Sequence, residues 1–311
     1  MSTWKDSTLN VFFYFRLGNS LSKPDHFHYC SLNYQEGNNG RLKYIPSHLY
    51  EAEDHYKLAL NEFSSSKLPS RNDGEMRITV ISDTHDRHYL LNSLPECDIL
   101  IHAGDILMTS RKYSRAGAYE NFQNFNEWLG QQPARHKIII GGNHDKLLQK
   151  LSKSELNELF SNGTYLCNEL LEIEGLRIFG TPLSRGDSGN QAFQSKEFAT
   201  ATQNILSQYT PGSIDILITH GTCTSLRHMI QPNVMHVSGH SHYHYGVHCS
   251  HQSHSDDSKE IDQGVHTTLN VCGPLMDHRY NPSHLPLIVD CHFQRAHSSH
   301  PHDHEKDPQL K

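Results

Sequence analysis

The chain has 311 residues, and 27 Lys and Arg against 34 Asp and Glu leave a formal charge of −7. That balance argues against general nucleic-acid binding, which needs a basic face. It leaves a phosphate substrate open, because bound cations dominate a local field. The seven cysteines, at 30, 97, 167, 223, 249, 272 and 291, are odd in number and form no C-x-x-C pair, which favours a reduced intracellular compartment over a disulfide framework.

Residues 1–75 read as an N-terminal extension without visible chemistry. Val11 to Phe15, closed by Arg16, predicts an edge strand; it is too short for a signal core or a membrane span. A cytoplasmic protein without a membrane partner is therefore expected. Leu49, Tyr56, Leu60 and Phe63 share one helical face, and Ser64 to Gly74 reads as a linker.

From Met76 onward, five short apolar runs each end in a polar motif. Arg77 to Ile81 leads to Asp83-Thr-His85, and Ile99 to Ile101 to Gly104-Asp105. Lys137 to Ile140 leads to Asn143-His144-Asp145, Ile214 to Ile218 to His220, and Val234 to Val237 to Gly239-His240-Ser-His242. Such runs suit strands of a sheet covered on both faces. Between them, Phe122, Phe125, Trp128 and Leu129 follow helical spacing up to Gly130. Ser152 with Glu155 predicts a capping box opening a helix to Phe160. Glu174-Gly175 between two apolar runs predicts a hairpin, and Phe193 to Tyr209 a further helix. The tail at 293–311, with His297, His300, His302 and His304, has almost nothing apolar to bury and is expected to stay unfolded. His251 and His254 are expected in a polar loop.

Ligands in open α/β sheets bind at the carboxyl ends of strands, where these motifs fall. Each has an ordinary alternative: Asp83 and His85 as turn chemistry, Asp105 as a helix cap, Asn143 as a loop residue, His102 as a core histidine. Five such coincidences in a row are improbable. Oxygen and imidazole donors without cysteine point to Mn, Fe or Zn in a hydrolytic pair rather than to a structural zinc. A carboxylate bridges two metals best, and Asp105 is the natural candidate. His240 and His242, two apart on an extended segment, point the same way.

Over residues 76–292 the five motifs resemble the signature of the calcineurin-like metallophosphoesterase superfamily. Asn126-Glu-Trp-Leu-Gly130, Leu176 to Pro182, Asp215 to Gly221 and Thr267 to Val271 resemble its branch of brain-type metallophosphoesterase-domain proteins and class III cyclic nucleotide phosphodiesterases. The resemblance implies an α/β fold, a four-layer αββα sandwich of two mixed β-sheets, with residues 76–292 as the catalytic domain. It implies two divalent metal ions: Asp83, His85, Asp105 and His242 holding one, Asp105, Asn143, His220 and His240 the other. A hydroxide between the metals would attack a phosphodiester, a cyclic nucleotide among the candidates, and His144 would protonate the leaving group. Asp145 is expected to hold the other nitrogen of His144, and Arg87, Arg185 and Arg227 are candidate phosphate clamps.

The chain departs from that branch after Pro182, where Leu183 to Asn190 is small and polar rather than aromatic. A nucleotide preference is weakened accordingly. The alternatives are a phosphomonoesterase of similar mechanism, or a weakly catalytic scaffold that binds proteins; the complete donor set argues against the scaffold. Gly104-Asp-Ile-Leu-Met-Thr-Ser110 lacks the arginine of the protein serine/threonine phosphatases. Gly186-Asp-Ser-Gly189 resembles a protease nucleophile segment only by accident, and no phosphate-binding glycine loop is present.

Overall fold

The computed structural model describes strands at Leu9–Phe12, Phe15–Arg16 and Phe27–His28, then residues 68, 74–91, 93–108, 113–186, 189–222, 226, 232–252 and 266–292. The expected helix over Leu49 to Phe63, the linker, His254, Arg227 and the tail at 293–311 lie outside the described residues.

In chain order the strands are β1 (Leu9–Phe12), β2 (Phe15–Arg16), β3 (Phe27–His28), β4 (Glu75–Ile81), β5 (Cys97–Ala103), β6 (Ala134–Ile140), β7 (Thr164–Tyr165), β8 (Glu169–Ile173) and β9 (Leu176–Thr181). They continue as β10 (Ser184–Arg185), β11 (Gln194–Ser195), β12 (Ile216–Thr219), β13 (Met235–Ser238), β14 (Gly246–Gln252), β15 (His266–Cys272) and β16 (Leu287–His292). The described helices are α1 (Arg115–Gln131), α2 (Lys153–Leu159) and α3 (Phe198–Leu206).

The strands form two six-stranded mixed sheets, in the orders β1-β16-β4-β5-β6-β7 and β14-β15-β13-β12-β9-β8. In the first, β4, β5, β6 and β7 run parallel, β16 lies antiparallel to β4, and β1 lies antiparallel to β16. In the second, β15, β13, β12 and β9 run parallel, with β14 and β8 antiparallel at the edges. The apolar run near the N-terminus is thus an edge strand, at Leu9–Phe12 rather than Val11 to Phe15. His251 lies in β14, opposite Thr267, and not in a loop.

The period-two alternation of the strands explains the layering. Ile78, Val80, Ile99, Ile101, Ile138 and Ile140 of the first sheet meet Ile178, Ile216, Ile218, Val237 and Val271 of the second in one buried core. The intervening residues Ile81, Leu100 and Ile139 point the other way, onto Phe122, Phe125 and Leu129 of α1 and Leu156 and Leu159 of α2. Phe179 and Leu217 do the same on the second sheet, against Leu206 of α3. Helix, sheet, sheet, helix is the four-layer αββα sandwich, and the core strands are apolar on both faces because both faces are covered.

Local chemistry decides several boundaries. The Ser152 hydroxyl accepts from the Glu155 amide while the Glu155 carboxylate accepts from the Ser152 amide, a complete capping box. Glu174 and Gly175 both have positive φ, 46° and 85°, as a two-residue turn between antiparallel strands requires. The helix expected from Phe193 starts only at Phe198, because Gln194–Ser195 pairs with Ser184–Arg185 as a small parallel ladder.

Candidate metal centre

All five motifs lie at the carboxyl ends of parallel strands: three adjacent strands of the first sheet (β4, β5, β6) and two of the second (β12, β13). Asp83, His85, Asp105, Asn143, His144 and His220 are buried, and His240 and His242 half-buried.

The backbone bends sharply there. Among the described residues, nine non-glycine positions have positive φ, and Asp83, His85, Asp86, Asp105 and His240 are five of them. Asp and His tolerate that region better than most residues, yet each such position costs about 1–3 kcal/mol, and such strain gathers at functional sites. Asp83 and Asp105 turn back on each other, with the Asp83 amide donating to Gly104 O at 2.9 Å and the His85 amide to Asp105 O at 3.2 Å. Gly104, at φ +95°, has no room for a side chain: a Cβ would stand 2.6 Å from His220 Nδ1.

Imidazole orientation is fixed from behind. His85 Nδ1 donates to Leu107 O (3.0 Å), His220 Nδ1 to Ala103 O (2.8 Å) and His242 Nδ1 to Asp277 O (2.6 Å). Each Nε2 is then aimed inward. His85 Nε2 faces His242 Nε2 at 3.3 Å, and Asn143 Oδ1 faces His220 Nε2 at 3.0 Å and His240 Nδ1 at 2.8 Å. Lone pairs facing each other need a cation or a proton between them. In the two carboxylates, burial works against the charged form, but the imidazoles around them overcome it and hold Asp83 and Asp105 below the usual carboxylate range. His220 shows the reciprocal effect: burial pulls it down, and the charge and hydrogen bond of Asp105 lift it to about 9. His85 and His240, for which burial prevails, are each lowered to about 4.

The donor atoms form three overlapping groups: Asp83, His85 and His242; His85, Asp105 and His144; Asp105, His220 and His240. Within each group they lie within 4.8 Å of one another. Oxygen and imidazole donors preset in this way fit divalent cations. Asp105 Oδ2 is 3.3 Å from His220 Nε2 and 4.0 Å from His85 Nε2, so its carboxylate stands between the outer groups. The two sheets are stitched together here, since the His240 amide of the second donates to Asp83 Oδ2 of the first at 3.0 Å.

His144 sits beside the cluster. Its amide donates to Asp105 Oδ1 at 2.8 Å, its Nδ1 binds Met108 O, and its Nε2 is 3.8 Å from Asp105 Oδ2. The expectation that Asp145 holds His144 is corrected. The Asp145 carboxylate, fully buried, instead accepts the amides of Gly142 (2.9 Å), Leu107 (3.0 Å) and Ile106 (3.1 Å). It ties the loop after β5 to the loop after β6, and burial together with the nearby Asp105 raises it to about 7. Of the arginines, Arg87 is half-buried two residues past His85, and Arg185 is exposed on β10.

Two residues at the site escaped the sequence reading. The Asn190 amide nitrogen donates to His144 Nε2 at 3.0 Å, from the far end of the polar loop after β9. Tyr280 lays its ring against His85 (4.8 Å) and His242 (5.2 Å), with His144 at 6.0 Å. Only the D-x-x-x-N pattern of the Asp277 to Asn281 turn marked that position. His102 is a core residue: burial lowers it to about 3, and its Nε2 meets Thr84 Oγ1 at 3.0 Å.

The calcineurin-like phosphoesterase family model matches residues 76–244. The chain belongs to this family. It is 29% identical over 257 residues to UPF0046 protein C25E10.12 of Caenorhabditis elegans, covering 70% of this chain and 82% of that one. It is 28% identical over 269 residues to human metallophosphoesterase domain-containing protein 1, covering 70% and 71%. This calcineurin-like protein is accordingly a metal-dependent phosphoesterase by family and by donor set. No described helix is long and apolar enough to cross a membrane.

Proposed function

We propose that the protein hydrolyses phosphodiesters with two divalent metal ions. Asp83, His85, Asp105 and His242 would hold one, and Asp105, Asn143, His220 and His240 the other. The observation that carries this is the Asp105 carboxylate, which groups with His220 and His240 and also comes within 4.0 Å of His85 in the other donor group. Divalent cations bound there supply Lewis acidity, neutralising phosphoryl charge and lowering the pKa of water.

The remaining work falls to the protein. The carbonyls of Leu107, Ala103 and Asp277 hold three imidazoles in the tautomer that points Nε2 inward. His144, its Nδ1–H committed to Met108 O, would take up a second proton on Nε2 from solvent as substrate displaces Asn190, and pass it to the leaving oxygen. Asn190 holds that nitrogen in place until substrate arrives. Arg87, two residues after His85, would meet the phosphate. Cys97, Cys167, Cys272 and Cys291, all free, support a reducing compartment and hence the cytoplasm.

The test compares bis-p-nitrophenyl phosphate with p-nitrophenyl phosphate on the chelator-treated protein reloaded with Mn, Fe, Zn or Mg. Diester turnover restored by metal and exceeding monoester turnover is expected; a monoester preference turns the assignment to a phosphomonoesterase. Asp105→Ala should abolish turnover and lower the metal content of the purified protein. Full metal loading with ordinary turnover in that variant would sink the binuclear assignment.

A further inference from the structure

Resting on the phosphoesterase reading, we propose that Tyr280 is a specificity-determining residue. Its ring, together with the exposed Tyr243–His278 stack carried on the neighbouring segments, forms a wall for a flat aromatic group carried on the phosphate ester.

Tyr280 is only half-buried, so its ring is partly open to what enters the site. Two imidazoles of the cluster meet it nearly edge-on, His85 at 75° and His242 at 78°. His144, the proton donor of the proposed reaction, lies one ring away at 6.0 Å. An alcohol leaving beside His144 therefore leaves along Tyr280. Tyr243, next to His242 in sequence, stacks on His278, two residues before Tyr280, at 4.9 Å and 18° while staying 70% exposed. An aromatic pair stacked flat and left open to solvent, on the segments that carry His242 and Tyr280, offers a face to a further ring.

The turn carrying Tyr280 is rigid. Asp277 Oδ1 accepts the amides of Arg279 (2.8 Å) and Asn281 (2.9 Å), and Asp277 O accepts the Tyr280 amide (2.9 Å). The same Asp277 carbonyl accepts His242 Nδ1, so the wall and the imidazole are positioned by one turn. Tyr280 has φ 61°, a conformation bulky residues rarely adopt, and the turn enforces it. The loop from Leu183 to Asn190 offers no aromatic side chain; the ring surface comes from the other side of the site.

Phenyl phosphate and cyclohexyl phosphate carry the same charge and nearly the same bulk, but only the first is flat. Calorimetry on the metal-loaded protein should show phenyl phosphate bound about tenfold more tightly, as ring stacking implies. Inhibition constants against bis-p-nitrophenyl phosphate should show the same ratio. Tyr280→Leu should erase the preference and Tyr280→Phe keep it, with folding checked by circular dichroism. Tyr243→Ala, at an exposed position that does not support the fold, should lower the preference about twofold. A wild-type protein without preference, or a Tyr280→Leu protein that keeps it, overturns the proposal. An unchanged preference in Tyr243→Ala removes the Tyr243–His278 half of the wall and the proposal as stated. A wild type that hydrolyses no ester yet prefers phenyl phosphate loses the phosphoesterase reading and keeps the Tyr280 wall.

Discussion

The two ends of the parallel strands use the same residue types in opposite ways. At the amino ends, buried charges are neutralised by partners of opposite sign. Arg77 of β4 donates to both oxygens of Asp290 on β16, at 2.7 and 2.6 Å, with Asp290 fully buried. Arg177 of β9 binds Asp215 with side chain and amide alike, its Nη2 3.1 Å from Oδ1 and its amide 2.8 Å from Oδ2. At the carboxyl ends, Asp83 and Asp105 face the imidazole nitrogens of His242 and His220 at 3.3 Å, on a backbone bent into left-handed conformations. One end is satisfied within the protein and stabilises the fold. The other is left needing a cation, and that need is what makes it a site.

The comparison is broken most severely at the carboxyl ends. Beyond the loss of both turnover and metal expected of Asp105→Ala, His144→Ala should keep the metal content, because the ligand set does not need it. It should lower turnover by about 10²–10⁴-fold on a poor leaving group. With nitrophenolate the loss should shrink, since that group scarcely needs a proton. An equal loss for both leaving groups would reassign His144 to the phosphoryl charge, and no loss would remove it from the mechanism.

At the amino ends the cost should fall on stability instead. Arg77→Ala leaves Asp290 buried and unpaired, and should lower the unfolding free energy by about 3–5 kcal/mol in urea. The double variant Arg77→Met with Asp290→Leu should recover most of that loss. Turnover per folded molecule should stay near the wild-type value in both. A matching fall in turnover would mean the two ends are coupled.

The smallest effect sharpens the contrast between core and site histidines. His236 is fully buried, its Nε2 2.8 Å from Thr219 Oγ1, and burial lowers it to about 3. Its folded pKa lies below the unfolded value of about 6.5, so the unfolded chain takes up the proton first. Stability is complete above that value and is lost as pH falls toward the folded pKa. From pH 6.5 to 5.5, His236 should contribute a loss of roughly 1 kcal/mol. His236→Asn should lose correspondingly less, by urea unfolding at the two pH values; an identical loss would show that His236 is not held neutral.

Much of this was legible because it is local. The five strand-and-motif units, the Ser152–Glu155 capping box and the Glu174-Gly175 turn depend on residues a few positions apart, and the structure reproduces them. The donor residues could be named because their spacing along single strand ends is itself the signal. Asp145 was misjudged for the same reason. Its neighbour in sequence is His144, but its carboxylate reaches Ile106 and Leu107, 39 and 38 residues away.

The sequence by itself thus determined which segments become buried strands and which side chains stand at their carboxyl ends, since apolar alternation and turn chemistry act over a few residues. Only the tertiary structure decided what those side chains meet. His220 turns its Nδ1 to Ala103 O across 117 residues, and Asp83 receives the His240 amide across 157. Asn190 reaches His144, and Tyr280 closes over His85 and His242. Such contacts leave no period in the chain, because they exist only once two sheets have packed face to face and brought their strand ends together.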